Sequence, residues 1–129
     1  MANVDNTADI TSSKPNTTYN DTKAHMLALA LVAARVWPDV RSNAVQPGWV
    51  PTQMGFADGN TSTPDNLREG YMTQIWLAEA TETGSQVTGG YFLHRKIDQK
   101  FNPKVRDVAA QGRMINAFAK KTGVQLPRN

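Results

Sequence analysis

The sequence predicts a small α/β domain, because three helical stretches alternate with two short β-like runs. The order along the 129 residues is helix, strand, helix, strand, helix. Such alternation is typical of a parallel pair of strands joined by a helical crossover. A sheet of only two strands is marginal on its own. We therefore expect the apolar helices, or a partner, to supply the core.

The first helix is predicted within "TTYNDTKAHMLALALVAARVWPDV", residues 17–40. Thr17 or Thr18 can cap its amino end. It should run through Ala34 and stop before Pro38, whose ring disfavours helical backbone in the preceding residue. Its apolar side chains surround the axis instead of forming one stripe. We therefore expect this helix to be buried on more than one side.

The middle of the chain is interpreted as strand, loop and helix. A strand is predicted over residues 41–45, and a loop rich in Gly and Pro over residues 51–64. A second helix is predicted over residues 63–80. Thr63 is its expected cap, and Pro64 occupies its first position, where a proline is tolerated.

The last third of the chain is predicted to form a strand and a helix. The run "YFLHRK", residues 91–96, is interpreted as a single strand. The third helix should span roughly residues 105–121 and end at Gly123, since glycine adopts the left-handed conformation of a helix terminus. The polar stretch over residues 1–16 is expected to be irregular, with its aspartates Asp5 and Asp9 solvated.

Composition excludes several classes of function. The chain has no cysteine, so disulfides, zinc–thiolate sites and thiol catalysis are excluded. Its net charge of +3 comes from scattered residues, so no nucleic-acid partner is expected. The longest apolar run, residues 26–34, is far shorter than the roughly 20 residues that span a bilayer, and no signal-peptide pattern opens the chain. We expect a cytoplasmic protein without a membrane partner.

Metal binding is also not expected. His25 and His94 are the two histidines, and neither is spaced with a second histidine or an acidic residue as metal sites require. His25 is interpreted as a helix-face residue and His94 as a strand-end residue.

Tyr19 and Lys23 form the first motif that can carry chemistry. Residues four apart share one helix face. A lysine ammonium near a tyrosine hydroxyl favours the phenolate form, which lets such a tyrosine exchange a proton with a substrate oxygen. The spacing alone is weak evidence, since it is common by chance. A predicted strand that breaks into Pro47-Gly48 strengthens it, because open α/β sheets hold ligands at the carboxyl ends of their strands.

Three pieces together resemble the C-terminal half of a short-chain dehydrogenase/reductase. They are Tyr19-x-x-Thr22-Lys23, the "PGWVPT" loop over residues 47–52, and the "GGYF" run over residues 89–92. The resemblance covers the chain from about Tyr19 to its end. It implies a truncated Rossmann-type α/β fold. Residues 1–129 would then be a single partial domain, irregular over 1–16 and dehydrogenase-like over 17–129.

The resemblance also implies roles for the tyrosine and the lysine. In this family the tyrosine is the general acid or base at the carbonyl or alcohol oxygen, which here is Tyr19. The lysine activates the tyrosine and binds the hydroxyls of the nicotinamide ribose, which here is Lys23. The implied reaction is hydride transfer between NAD or NADP and a small carbonyl or alcohol substrate.

The loop after the strand is implied to cover the nicotinamide. Pro47 and Gly48 match the family's Pro-Gly turn. The backbone at Val50 is implied to meet the carboxamide, and Thr52 to lie near the carboxamide or the pyrophosphate. These four residues and Lys23 form the implied cofactor site.

The sequence departs from the family in two places. It contains no glycine-rich turn of the kind that cradles a dinucleotide pyrophosphate at a helix amino end. The family's catalytic serine also has no counterpart, because Ser12 and Ser13 lie in a polar tract that follows no β-like run. Three hypotheses remain open. The chain is an oxidoreductase of this lineage, an inactive fragment that self-associates or complements a separate N-terminal nucleotide-binding half, or part of a larger polypeptide.

Overall fold

The computed structural model describes residues 4–6, 17–56, 59 and 62–127. Within these ranges the chain forms a small α/β unit of three α-helices and a three-stranded mixed sheet. The elements in chain order are α1 (Tyr19–Val36), β1 (Ala44–Gln46), α2 (Leu67–Glu79), β2 (Tyr91–Leu93), β3 (Lys96–Ile97) and α3 (Val108–Thr122). The predicted alternation of helix and strand is confirmed, with one strand more than expected.

Helix α1 begins at a capping box. The hydroxyl of Thr18 accepts the backbone N–H of Asp21, and the Asp21 carboxylate accepts the backbone N–H of Thr18 at 3.0 Å. These two bonds satisfy donors that a helix start otherwise leaves without partners. Thr18, one of the two expected caps, therefore fixes where the helix begins. The helix ends at Val36, ahead of Pro38 as predicted.

The sheet has the order β1-β2-β3 and contains both kinds of pairing. β1 and β2 are parallel, with Val45 opposite Phe92, which confirms the predicted parallel pair. β2 and β3 are antiparallel, with Leu93 opposite Lys96. The interpretation of residues 91–96 as one strand is therefore wrong. The chain reverses at His94 and Arg95, whose φ angles of 49° and 62° are those of a tight hairpin turn.

Strand β1 starts later than predicted, at Ala44 instead of residue 41. Ser42 and Asn43 instead use their side chains in bonds to other elements. The Ser42 hydroxyl donates to the carbonyl of Ala30 at 2.9 Å, and the Asn43 amide donates to the carbonyl of Val87 at 2.8 Å. These bonds attach the start of β1 to α1 and to the segment before β2.

Helix α2 also starts later than predicted. Its cap is Asn66, whose side-chain oxygen accepts the N–H of Glu69 at 2.9 Å. The assignment of Thr63 as the cap and Pro64 as the first helical residue is wrong. Thr63 instead donates its hydroxyl to the carbonyl of Asp65 at 3.1 Å. Residues 63–65 thus form a bent link ahead of the helix.

Helix α3 likewise begins at Val108 and not at residue 105. A short 3₁₀ turn, Pro103–Arg106, precedes it, and the Asp107 carboxylate caps it by accepting the N–H of Ala109 at 2.9 Å. The helix ends at Gly123, whose φ of 75° is left-handed, as predicted.

The core lies mainly between helices, as the short sheet led us to expect. It is formed by side chains of α1, the 3₁₀ turn and α3, joined by one residue of the amino-terminal segment: Val4, Ala24, Leu27, Ala28, Leu31, Val105, Ala110 and Met114. Helix α1 buries one broad face. Met26 and Leu29 lie outside that face and are 63% and 41% exposed. Among the residues that the structure describes, burial of α1 on more than one side is therefore not reached.

The amino-terminal segment contributes structure that its polar composition did not predict. Of residues 1–16 the structure describes 4–6, and Val4 is fully buried in the core. The Asp5 carboxylate, expected to be solvated, forms ion pairs with Lys104 and with Arg113, the latter at 2.7 Å. Hydrogen bonds from Lys104 and then Arg113 hold the pKa of Asp5 below its usual value. Asp9, Ser12 and Ser13 lie outside the described residues.

His25 is buried in the core beneath this segment. It is 5% exposed, and its ring packs edge-on against Phe118 with centroids 5.6 Å apart. Burial lowers the pKa of His25 below its usual 6.5, although a hydrogen bond to the Val4 backbone and the nearby Asp21 carboxylate oppose that shift. The neutral imidazole is therefore the form that the fold accommodates.

This burial predicts a dependence of stability on pH. Because the folded pKa of His25 is below the unfolded value, the unfolded chain takes up the proton first as pH falls. The free energy of unfolding should therefore decrease below pH about 6.5, by at most about 1.4 kcal/mol per pH unit from this group. Urea unfolding between pH 8 and pH 5 measures the slope. In His25→Gln the slope should flatten, and equal slopes in both proteins would contradict this account.

Candidate active site

A cleft of about 690 Å³ opens where the start of α1 meets the end of β1. Four of the six residues predicted for the site line it: Tyr19 and Lys23 from α1, and Pro47 and Gly48 after β1. Val50 and Thr52 do not line the cleft and lie farther along the same loop. The structure therefore brings two distant motifs to one place.

Chain direction explains this meeting. Helix α1 and strand β1 run in opposite directions and are joined by a link of seven residues, 37–43. The hydrogen bond from Ser42 to the carbonyl of Ala30 holds that link against the helix. The first turn of α1 consequently lies at the carboxyl end of β1, where the chain leaves the sheet through Pro47.

Tyr19 and Lys23 lie one helical turn apart on the face of α1 that borders the cleft. The Lys23 ammonium is 5.3 Å from the centroid of the Tyr19 ring, a cation–π contact. Tyr19 is 60% exposed, and within the described part of the chain its hydroxyl makes only a long contact, 4.0 Å, to the sulfur of Met54 in the loop. The hydroxyl is accordingly accessible to a substrate oxygen.

Hydrogen bonds within the loop after β1 restrain part of its shape. The carbonyl of Val50 accepts the N–H of Thr52 at 2.8 Å, and the Thr52 hydroxyl accepts the N–H of Gly55 at 3.1 Å. The indole N–H of Trp49 donates to the carbonyl of Gly55 at 2.8 Å. Among the described residues, the N–H of Val50 donates no hydrogen bond. That N–H is therefore available to an acceptor on a ligand.

Asp65 fastens this loop to the segment before α2. Its carboxylate accepts the backbone N–H of Trp49 at 2.7 Å, and its own N–H donates to the carbonyl of Trp49 at 3.2 Å. The second oxygen of the carboxylate lies 3.0 Å from Nε2 of His94, which has no well-aligned hydrogen bond of its own. Sequence reasoning identified neither Asp65 nor His94 as part of a site.

The opposite wall of the cleft was also missed. It is formed by side chains from β2 and from the segment after β3, namely Tyr91, Lys100, Phe101 and Asn102. The Tyr91 hydroxyl donates to the Gln46 side chain at 3.1 Å, and burial, with a smaller contribution from Asp98, raises the pKa of Tyr91. Tyr91 belongs to the "GGYF" run, but no local pattern assigned it to a site, because its place at the cleft comes from the parallel pairing of β1 with β2.

The described residues offer neither a metal-ligand cluster nor a membrane-spanning helix. No three His, Cys, Asp or Glu side chains within the described ranges are grouped as a metal ion would need. In that part of the chain, no helix is both long and apolar enough to cross a bilayer.

Comparison with known proteins confirms the resemblance that the motifs predicted. The chain is 31% identical over 109 residues to short-chain dehydrogenase chry4 of Gibberella zeae, and 30% identical over 109 residues to short-chain dehydrogenase chyC of Penicillium rubens. Each match covers 84% of this chain and 40% of the relative. The chain is thus a sequence relative of the short-chain dehydrogenases and spans about two fifths of their length. No family model and no solved structure matches it.

Proposed function

We propose that this chain carries the acid–base side of a nicotinamide-dependent short-chain oxidoreductase acting on a carbonyl or alcohol. The observation that carries the proposal is that Tyr19, Lys23, Pro47 and Gly48 share one cleft. Sequence similarity to two short-chain dehydrogenases supports it independently. We also propose that the fold is a truncated Rossmann-type fold, and the parallel pairing of β1 with β2 supports this.

The residues of the cleft fit the nicotinamide end of NAD or NADP. The Lys23 ammonium, in the cleft, can donate to ribose hydroxyls, and the N–H of Val50, farther along the loop and not part of the cleft lining, can donate to a carboxamide oxygen. The hydroxyl of Thr52, two residues farther along the loop, can form a further hydrogen bond to the cofactor. Nothing comparable fits the other end of the cofactor, because the sequence has no glycine-rich turn for a pyrophosphate.

The chemistry assigned to the protein is proton transfer. A bound nicotinamide supplies or accepts the hydride. Tyr19 donates a proton to the substrate oxygen in the reducing direction and removes one in the oxidising direction. Lys23, one turn away, supplies positive charge that stabilises the phenolate left after donation. The exposed Tyr19 hydroxyl lets a small substrate approach from the cleft.

Two substitutions test the acid–base assignment in any preparation that reduces a carbonyl, whether the chain acts alone or beside a nucleotide-binding half. Tyr19→Phe keeps the ring and removes the hydroxyl, so turnover should fall roughly 100-fold or more. Lys23→Met should also lower turnover. Tyr71→Phe and Lys120→Met, which change exposed residues away from the cleft, serve as matched controls. Near-normal turnover in Tyr19→Phe would contradict the assignment of Tyr19 as the general acid or base.

The missing glycine-rich turn predicts weak cofactor binding by this chain alone. Calorimetric titration with NADH and with NADPH should give either no measurable heat or a dissociation constant well above the micromolar range, since the pyrophosphate and adenine have no visible site here. Micromolar or tighter binding of either cofactor would contradict this expectation.

The second candidate is a chain that acts through association, either with its own copies or with a separate N-terminal nucleotide-binding half. Exposed apolar residues favour it: Met26 and Leu29 on α1, and Leu67 and Ile75 on α2. Strand β1 also lies at the edge of the sheet, paired only with β2 among the described residues. Unpaired strand edges and apolar surfaces of this kind favour contact with other chains.

Association predicts an oligomer in solution. Sedimentation equilibrium over a wide range of concentrations should show a dimer or larger species for the purified chain. Replacing Met26 and Leu29 together with Lys should shift the distribution toward the monomer while the far-ultraviolet circular dichroism stays unchanged. The control replaces two exposed residues of α3, Lys120 and Lys121, with Glu and should leave the distribution unchanged. A folded monomer at every concentration would exclude self-association.

A further inference from the structure

We propose that Asp65, supported by His94, is the positioning residue that holds the loop over residues 47–52 in its ligand-facing shape. The inference rests on the proposed function for its ligand, a nicotinamide nucleotide. Its structural part, that Asp65 anchors the loop backbone, stands on contacts within this chain.

The first contact is a two-way bridge between Asp65 and Trp49. The carboxylate accepts the Trp49 N–H at 2.7 Å, while the Asp65 N–H donates to the Trp49 carbonyl at 3.2 Å. Both backbone polar groups of Trp49, its N–H and its carbonyl, are thereby bonded to Asp65. A hydrogen bond to a charged acceptor is roughly twice as strong as a neutral one. The backbone on either side, Gly48 and Val50, is consequently restrained.

The second contact connects the anchor to the sheet. Nε2 of His94 lies 3.0 Å from the free carboxylate oxygen of Asp65, at the carboxyl end of β2. The hairpin turn that carries His94 is itself fixed, because the N–H of Arg95 donates to the hydroxyl of Thr73 at 3.1 Å and Thr73 is fully enclosed on α2. Asp65 thus connects the loop to the segment that leads into α2, and it also packs against the hairpin turn after β2 through His94.

Close packing at Gly48 provides an independent observation. A Cβ at this position would lie 2.5 Å from an Asp65 carboxylate oxygen and 3.2 Å from Nε2 of His94, and the φ of Gly48 is +86°. Only glycine combines that left-handed backbone with so close an approach. The Asp65–His94 pair therefore sits directly against the Pro-Gly turn that borders the cleft.

This arrangement gives Asp65 a functional consequence. The N–H of Val50 follows immediately after the anchored Trp49 peptide, and it has no acceptor among the described residues. Without the anchor the loop would sample other conformations, and that N–H would no longer be presented in one direction. Preorganised donors bind a ligand with a smaller entropic cost than mobile ones.

The test follows the backbone amide of Trp49 by hydrogen exchange in the purified chain, using two-dimensional nuclear magnetic resonance. Asp65→Ala should speed exchange at Trp49 by about tenfold or more, as expected for losing a bond to a charged acceptor. Asp65→Asn retains an acceptor oxygen and should largely restore protection. His94→Asn, which tolerates the left-handed backbone but is too short to reach Asp65, should give a smaller increase.

Internal and matched controls separate anchoring from general loosening. The amide of Trp37, which donates to the Ala33 carbonyl at the end of α1, should keep its exchange rate in every variant. Asp39→Ala changes an exposed aspartate beyond α1, before β1 begins, and should leave Trp49 unchanged. Exchange at Trp49 within about twofold of the parent in Asp65→Ala would overturn the proposal.

A second measurement connects the anchor to the ligand. Reduced nicotinamide mononucleotide, which lacks the adenine half, should shift the amide signals of Gly48, Trp49 and Val50 at millimolar concentrations. The apparent dissociation constant should rise about fivefold or more in Asp65→Ala and recover in Asp65→Asn. Shifts of equal affinity in all three proteins would overturn the positioning role. If no protein responds while the exchange results hold, the proposed function fails and Asp65 stands as the anchor of the loop.

Discussion

The reversal of direction from α1 into β1 is the constraint on which the rest of this structure depends. The helix must begin at Thr18, where a reciprocal pair of bonds with Asp21 fixes its start, and it must return through a short link held by Ser42. Together these conditions place the first turn of the helix beside the carboxyl end of β1. The cleft, the position of Tyr19 in it, and the contribution of Pro47 and Gly48 to its lining all follow from that geometry.

The loop after β1 is largely exposed, and hydrogen bonds restrain its conformation. Within the loop, the side chains of Trp49 and Thr52 bond to the backbone of Gly55, and these bonds restrain part of its shape. Asp65 then adds a charged anchor from outside the loop. The N–H of Val50, next to the anchored carbonyl of Trp49, has no acceptor within the described part of the chain.

Helix packing lets a very small sheet suffice. The buried cluster draws on α1, α3 and the turn between β3 and α3, while of the strand residues only Phe92 is buried. The same arrangement leaves apolar side chains of α1 and α2 exposed, because no described element lies against those faces. The wall of the cleft that α1 forms is therefore backed by a helical core, although the chain spans about two fifths of the length of its curated relatives.

Much of the fold was predictable from the sequence, because local signals act over a few residues. The threonine cap, the proline after α1 and the left-handed Gly123 are local determinants, and each predicted its element end. The motifs at residues 19–23 and 47–52 also predicted the lineage that the comparisons confirm. What the tertiary structure alone decided were pairings between distant residues. Asp5 with Arg113, His94 with Asp65, and the hairpin reversal at His94 each depend on which elements pack together, and no local pattern carries that information.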